Sequence, residues 1–309
     1  MNIREIEPPM RIADVERDTG IGKDTLRVWE RRYLFPKPQR DGLGDRLYPF
    51  DQVERLRVIR RLLDKGLRPG KVLGLDLPEL HLLLDAHSSQ PVDLARHAIC
   101  QSLLKLLRMH RSRELRETLN HILVRDGLQK FIADTIVPMN VIVGDCWIRG
   151  DLTVPEEHLY TEQVQNLIRH AIHTQKAPAS APRILFTTFP DEEHCLGILM
   201  VEAMCVSEGA DCTSLGTRVP LPDIAKYAVE GRYDVVAVSF SAAYPLRNVL
   251  KDLKQFRELL PEPISIWAGG AALKQKRVSL PSVVVLTSIT GVPSLVNGWR
   301  SRHSGDVNE

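Results

Sequence analysis

Three groups of residues in this 309-residue sequence could act on a ligand or a polyanion. The first is Glu192-x-His194-x-x-Gly197, just after the β-rich run Ile184-Leu185-Phe186-Thr187. A histidine in the loop after a strand can reach a metal above the sheet edge, where open α/β sheets bind ligands. Glu192 can accept the second ring N–H and so orient the imidazole. Gly197 permits close backbone approach. A histidine in a loop is equally an ordinary solvated residue, and these residues alone do not choose. The second group is Trp147 and, after nine intervening residues, Glu157-His158. Thr153-x-x-Glu156, with Pro155 between, reads as a capping box that starts a helix and puts Glu157 and His158 in its first turn. A core tryptophan and a solvated helix start would look the same. The third group is the helix-like segment from Lys23 to Tyr33. Leu26 and Trp29, and on one reading Val28, pack inward, leaving Lys23, Thr25, Arg27, Arg31 and Arg32 outward. Arginine can bind guanine O6 and N7 with two hydrogen bonds or neutralise a phosphate. Pro36 to Tyr48 can form a hairpin wing whose Arg40, Arg46 and Tyr48 rest on a sugar-phosphate backbone. The competing reading of this block is a small helical interaction domain with charged faces.

The elements that must position these groups fall into three blocks. In the first, residues 1–85, a short helix from Ile12 ends at Gly20 and the arginine-bearing helix follows, a pairing suited to major-groove insertion. The second, residues 91–175, has apolar positions at helical spacing, such as Val92, Ala95, Ile99, Leu103 and Leu106. Helices near 91–109, 112–125, 127–146 and 155–175 describe a four-helix bundle. Lys176 to Pro182 reads as a linker. In the third block, residues 183–303, strands at 184–187, 235–239, 264–267 and 283–286 alternate with helices near 193–208, 221–229, 246–259 and 292–302. That alternation predicts a doubly wound parallel sheet.

Composition narrows the function classes. The chain is 43% apolar and 26% charged, ordinary for a globular protein. Residues 1–73 hold 17 Lys and Arg against 12 Asp and Glu, while the rest holds 24 against 27. The basic first quarter suits a polyanion. The five cysteines, Cys100, Cys146, Cys195, Cys205 and Cys212, form no C-x-x-C pair, so neither a disulfide framework nor a cysteine zinc site is expected. No run of apolar residues as long as a membrane span is evident, and no secretory h-region, so a cytoplasmic protein is expected.

Family resemblance sharpens each group. Ile12-Ala13…Thr19-Gly20-Ile21…Thr25-Leu26-Arg27-Val28-Trp29-Glu30-Arg31-Arg32-Tyr33, followed by Arg46-Leu47-Tyr48, resembles the winged helix-turn-helix of MerR-type transcription regulators. The resemblance implies a dimer on a near-palindromic operator at a promoter, with RNA polymerase as a further candidate partner. Glu192-x-His194-x-x-Gly197, Ser239-Phe240-Ser241 and Ala268-Gly269-Gly270-Ala271 together resemble the cobalamin-binding fold. By that resemblance His194 is the lower cobalt ligand and Glu192 holds it. Ser239, Ser241, Gly269 and Gly270 then shape a slot for the nucleotide tail. Ser241 stands where the enzymes commonly have leucine. Trp147 followed by Glu157-His158 is similar to CarH-like cobalamin-dependent photoreceptor repressors, in which these residues contact the upper face of the cofactor and its adenosyl group. Pro138-Met139…Gly144-Asp145…Trp147…Gly150 also resembles the helical cap over corrin in methionine synthase and its relatives. The photoreceptors typically carry a histidine directly after the tryptophan to capture cobalt once light breaks its carbon bond. Here that position is Ile148, which cannot ligate a metal.

These readings predict a repressor whose oligomerisation, as dimer or tetramer, and whose operator affinity are set by a cobalamin, foremost adenosylcobalamin, with light as an open question. A second reading is a vestigial corrinoid fold governed by a protein partner or another flat cofactor such as haem. A corrinoid enzyme is the third, and the sequence shows neither a substrate-binding barrel nor a catalytic acid/base pair for it.

Overall fold

Gly20 ends the first helix: its φ of 66° is left-handed, and its N–H closes the turn on the Glu16 carbonyl at 2.9 Å. In the computed structural model, which describes residues 8–86, 94–175, 180–244, 246–274, 280 and 282–303, the chain divides into two compact units. Met1–His97 with Val143–Thr153 make the first, and Ala98–Ile142 with Val154–Glu309 the second.

The first unit opens with β1 (Met10–Arg11), α1 (Ile12–Thr19) and α2 (Lys23–Tyr33). Next come β2 (Gln39–Arg40), β3 (Arg46–Tyr48), α3 (Phe50–Asp64), α4 (Pro69–Val72) and α5 (Leu77–Ala86). Among the described residues the three strands make an antiparallel sheet in the order β1-β3-β2, the expected wing with one more strand. The turn of the wing is held by the Asp41 carboxylate, which accepts from the Leu43 and Asp45 N–H groups at 2.9 and 2.8 Å. The core gathers Val15, Leu26, Trp29, Val53, Leu56, Ile59, Leu62 and Leu80. Val28 lies outside it, 43% exposed. Arg57 ties α3 to α1 by a two-pronged ion pair with Asp18, 2.8 and 2.9 Å.

The helices of the bundle are α6 (Leu94–Arg108), α7 (Ser112–Asp126), α8 (Leu128–Phe131), α9 (Val137–Ile148) and α10 (Val154–Thr174), of which residues 94–97 and 143–148 are counted in the first unit and the rest in the second. A π-helical turn, Ile132–Ile136, joins α8 to α9, so the expected third helix of the bundle is one rod with a bulge. This rod, Leu128–Ile148, is long and apolar enough to cross a membrane by length and composition. It carries Lys130, Asp134, Asn140 and Asp145, and it buries Phe131, Ile132, Ile136 and Met139. Leu103, Leu119, Tyr160, Val164 and Ile168 are buried with them. The Tyr160 hydroxyl, fully enclosed, donates to Asn140 Oδ1 at 2.6 Å and clasps α10 to α9.

The sheet block runs β4 (Ser180–Thr187), α11 (Leu196–Ser207), β5 (Ala210–Gly216), α12 (Leu221–Glu230), β6 (Val235–Ser239) and α13 (Leu246–Leu259). It ends with β7 (Ser265–Gly269), β8 (Val283–Leu286) and α14 (Val292–His303). All pairings are parallel, in the order β5-β4-β6-β7-β8. Two expectations need correction. Ala210–Gly216 is a strand that the sequence reading did not anticipate. The supposed linker 176–182 is strand from Ser180 onward, and residues 176–179 lie outside the described residues. Residues 87–93, between the first and second blocks, also lie outside them. α8 and α10 pack on α11, so the bundle is seated on one face of the sheet block within this unit. From β4 the chain passes to β5 on one side and later to β6 on the other. That reversal is a topological switch point, where open α/β sheets bind ligands beyond the strand ends.

Candidate functional site

The loop after β4 carries Glu192 and His194 to that switch point. Phe189 anchors it in the core, and Thr188, wholly buried, donates its hydroxyl to the Glu192 carbonyl at 2.6 Å and accepts from the Arg218 N–H at 3.0 Å. The Glu192 side chain is 2% exposed and all its acceptor capacity points at the loop and the next strand end. One oxygen takes the His194 N–H at 2.9 Å and the ring Nδ1 at 2.7 Å, and the other takes the Ser241 N–H at 2.6 Å. Burial pushes the Glu192 carboxyl upward, but the His194 ring and the Ser241 and His194 backbone N–H groups outweigh it, and its pKa lies below the ordinary value. For His194 the hydrogen bond that its ring donates to Glu192 dominates over burial and raises its pKa. With Nδ1 engaged, Nε2 is the nitrogen left to bind something, on a ring whose side chain is 57% exposed. Among the described residues no three His, Cys, Asp or Glu side chains cluster as a metal site, so this imidazole offers itself as a single ligand.

Small residues stand at the neighbouring strand ends. Ser239 and Gly269 are register partners at the tips of β6 and β7. A Cβ on Gly197 would lie 3.0 Å from Ser239 Oγ, so α11 reaches β6 as closely as glycine permits. Gly270 has a φ of 108°, and a Cβ there would fall 2.2 Å from the Phe240 carbonyl oxygen. The turn itself demands glycine at 270, whatever binds above it. Ser241 Oγ is buried without a partner among the described residues, a polar atom available to a guest.

From α10, Glu157 and His158 sit in the first turn as expected. Glu157 Oε2 holds His158 Nδ1 at 2.7 Å and Oε1 accepts from the Thr161 hydroxyl at 2.8 Å. Glu157 adds the smallest of the Coulombic contributions that raise the pKa of His194. Trp147 belongs to the first unit, where the Arg57 guanidinium lies 4.3 Å from its ring centroid. Beside it Ile148 packs against the core of that unit and Asp145 pairs with Arg61 at 2.8 Å.

On the basic helix, Thr25, Arg27 and Arg31 are exposed as expected, Arg27 within 3.2 Å of Asp24. Lys23 is half-buried, its backbone N–H on Glu16 and its ammonium 3.4 Å from the same carboxylate. On the wing Arg40 is exposed and donates to the Gly44 carbonyl at 2.9 Å. Two expected contacts are corrected. Tyr48 is fully buried in the core, and Arg46 is half-buried against Glu30 at 2.8 Å. The strand period explains both, since residues 46 and 48 share the face turned toward the helices. Sequence reasoning also missed Thr188, whose position directly after a strand and before the loop was its one signal.

Comparison with known proteins matches these parts in the same order. The MerR HTH regulatory-protein family matches residues 10–74, and B12 binding domain families match residues 99–172 and 182–287. The chain is 29% identical to the HTH-type transcriptional repressor CarH of Myxococcus xanthus over 274 residues, 87% of this chain and 91% of that protein. It is 33% identical to the HTH-type transcriptional regulator YfmP of Bacillus subtilis over 112 residues, 36% of this chain and 74% of that one. Its fold is similar to the monomethylamine corrinoid protein of Methanosarcina barkeri, with a TM-score of 0.51 at 15% identity over 65% of this chain and 97% of that one.

Proposed function

The chain belongs to the MerR family of helix-turn-helix regulators and carries B12-binding domains, and on that footing we propose that it represses transcription under the control of a cobalamin bound at His194. The observation that carries the proposal is the imidazole itself, with Nδ1 held by a buried carboxylate at 2.7 Å and Nε2 turned free at the switch point of the sheet. A cobalamin would supply a cobalt ion, and His194 would hold it through Nε2. Glu192 fixes the tautomer and raises the basicity of the ring. Gly197, Ser239, Ser241, Gly269 and Gly270 would line the place of the tail, and Glu157 and His158 would contact the cofactor from α10. Trp147 enters the proposal from its spacing to Glu157-His158, since its contact is with Arg57.

The form of the ligand we propose is adenosylcobalamin. Light has no built route through the residue after Trp147, because Ile148 is an apolar, partly buried side chain packed against the core of the first unit. DNA is read by Thr25, Arg27 and Arg31 on α2, with Lys23 and Arg40 on phosphates. Binding of ligand in the second unit would favour an assembly, a dimer or tetramer, that presents several readers together. Such multivalency raises apparent affinity by about 10² to 10⁴ without new contacts. An operator so held is closed to RNA polymerase, and a protein acting there works in the cytoplasm.

The test is reconstitution of the full chain with adenosylcobalamin, followed by visible spectroscopy and gel shift on its own promoter, in dark and light. We expect a bound corrinoid with the spectrum of nitrogen ligation from histidine, and its loss in His194→Ala. A protein that takes up no corrinoid, or a His194→Ala variant that binds as well as the parent, overturns the proposal.

A further inference from the structure

Trp267 is 4% exposed, and its indole Nε1 is closed to solvent with no acceptor among the described residues. A buried N–H without a partner is rare in a folded protein and asks for an explanation.

The register of the sheet says where this indole lies. Leu185, Val236, Val238, Ile266, Ala268 and Val285 pack in one core cluster with residues of α12 and α13, so they define one face of the sheet. Side chains alternate along a strand, which puts Ala237, Ser239, Trp267 and Gly269 on the opposite face. That is the face α11 covers, as the approach of Gly197 to Ser239 Oγ shows. Ala237 pairs with Trp267 and Ser239 with Gly269, so each pair occupies one level. A flat group entering beside α11 past Ser239 and Gly269 meets the small Ala237 and the indole of Trp267 at the next level down.

We propose that Trp267 determines which corrinoid this chain accepts: its Nε1–H donates to a ring nitrogen of the lower base, favouring cobamides with a benzimidazole or purine base over those with a phenolic one. The inference rests on the cobalamin reading above. When an imidazole takes the lower position on cobalt, the base it replaces regains a free ring lone pair. Carried into a dry slot, that lone pair needs a donor as much as Trp267 needs an acceptor. A phenolic base has the same flat shape but no ring nitrogen, so it leaves the N–H unanswered.

The experiment measures equilibrium binding of the full chain to cobalamin, adenine-based cobamide, cresol-based cobamide and tail-less cobinamide. Cobalamin and the adenine form should bind roughly tenfold more tightly than the cresol form, the effect of one unanswered buried donor. Trp267→Phe should abolish that preference by weakening the two nitrogen-bearing forms while leaving the cresol form unchanged. In ¹⁵N-labelled parent protein the Trp267 indole N–H resonance should move downfield with cobalamin and stay in place with the cresol form. Equal affinity of the parent protein for cobalamin and the cresol form overturns the inference, whether or not the variant folds. Failure of every corrinoid to bind overturns the function proposed above instead.

Discussion

At the scale of single residues the site is governed by a carboxylate that never meets solvent. The charge–charge part of the Glu192–His194 interaction contributes stability only where both partners are charged. His194 has its pKa raised above the ordinary 6.5, so its contribution is full below 6.5 and fades as pH climbs through the folded value. Glu192 has its pKa lowered below 4.5, so its contribution is full above 4.5 and fades as pH falls through the folded value. Chemical denaturation of the cofactor-free protein against Glu192→Gln should therefore show its largest difference between pH 4.5 and 6.5. The ring is more than half exposed, so screening keeps the pair's own share under about 1 kcal/mol. A difference that grows above pH 8 would contradict this assignment. Tyr48 makes a second case. Its buried hydroxyl has no partner among the described residues, so Tyr48→Phe should melt at the same temperature as the parent or higher. His194 and Glu192 were legible in the sequence because their relation is local, two residues apart in one loop. Tyr48 and Arg46 were misread because their neighbours, Met10 and Glu30, come from other elements. Trp267 was invisible for the same reason, although counting back two from Gly269 would have put it on the same face of the sheet.

At the scale of elements, spacing revealed what packs along its own length. The four helices of the bundle could be read because each buries one stripe at helical intervals. What holds them in register could not be, since the Tyr160–Asn140 bond joins residues twenty apart on two helices. Tyr160→Phe leaves the partly buried Asn140 oxygen without its donor. It should cost about 1–2 kcal/mol of stability by urea denaturation, with helical content unchanged. No loss would mean that the hydroxyl is free to find water. β5 escaped notice because it is an edge strand: it pairs with β4 alone, and Asp211, Thr213 and Ser214 interrupt any apolar run. The start of β4 was hidden by Pro182, which has no N–H to give a ladder. The strand admits it where the β4–β5 register slips between Ser180 and Arg183.

At the scale of the whole molecule, charge separates the reader from the sensor. Residues 1–73 carry 17 basic against 12 acidic side chains, and the remainder is acidic on balance with 24 against 27. Attraction to a duplex is therefore concentrated in the first unit, and each phosphate that a lysine or arginine neutralises releases counterions. This makes the salt dependence of binding a count of engaged readers. Each phosphate contact adds about 0.9 to the slope of log affinity against log salt. Arg40→Ala should lower the slope by about that amount per reader, with little change in sequence preference. Arg31 is exposed with no partner among the described residues, so Arg31→Ala should cost about 1–3 kcal/mol and relax preference at one base pair if it reads a base edge. Cobalamin touches none of these residues in the proposal, so at fixed stoichiometry it has no means of changing the slope. If it acts by gathering readers, the slope on a two-half-site operator should roughly double when the ligand is added, and the slope on a single half-site should stay fixed. Cobalamin that binds, shifts affinity and leaves both slopes alone would instead place its action inside each reader, and assembly would have to be abandoned as the means of control.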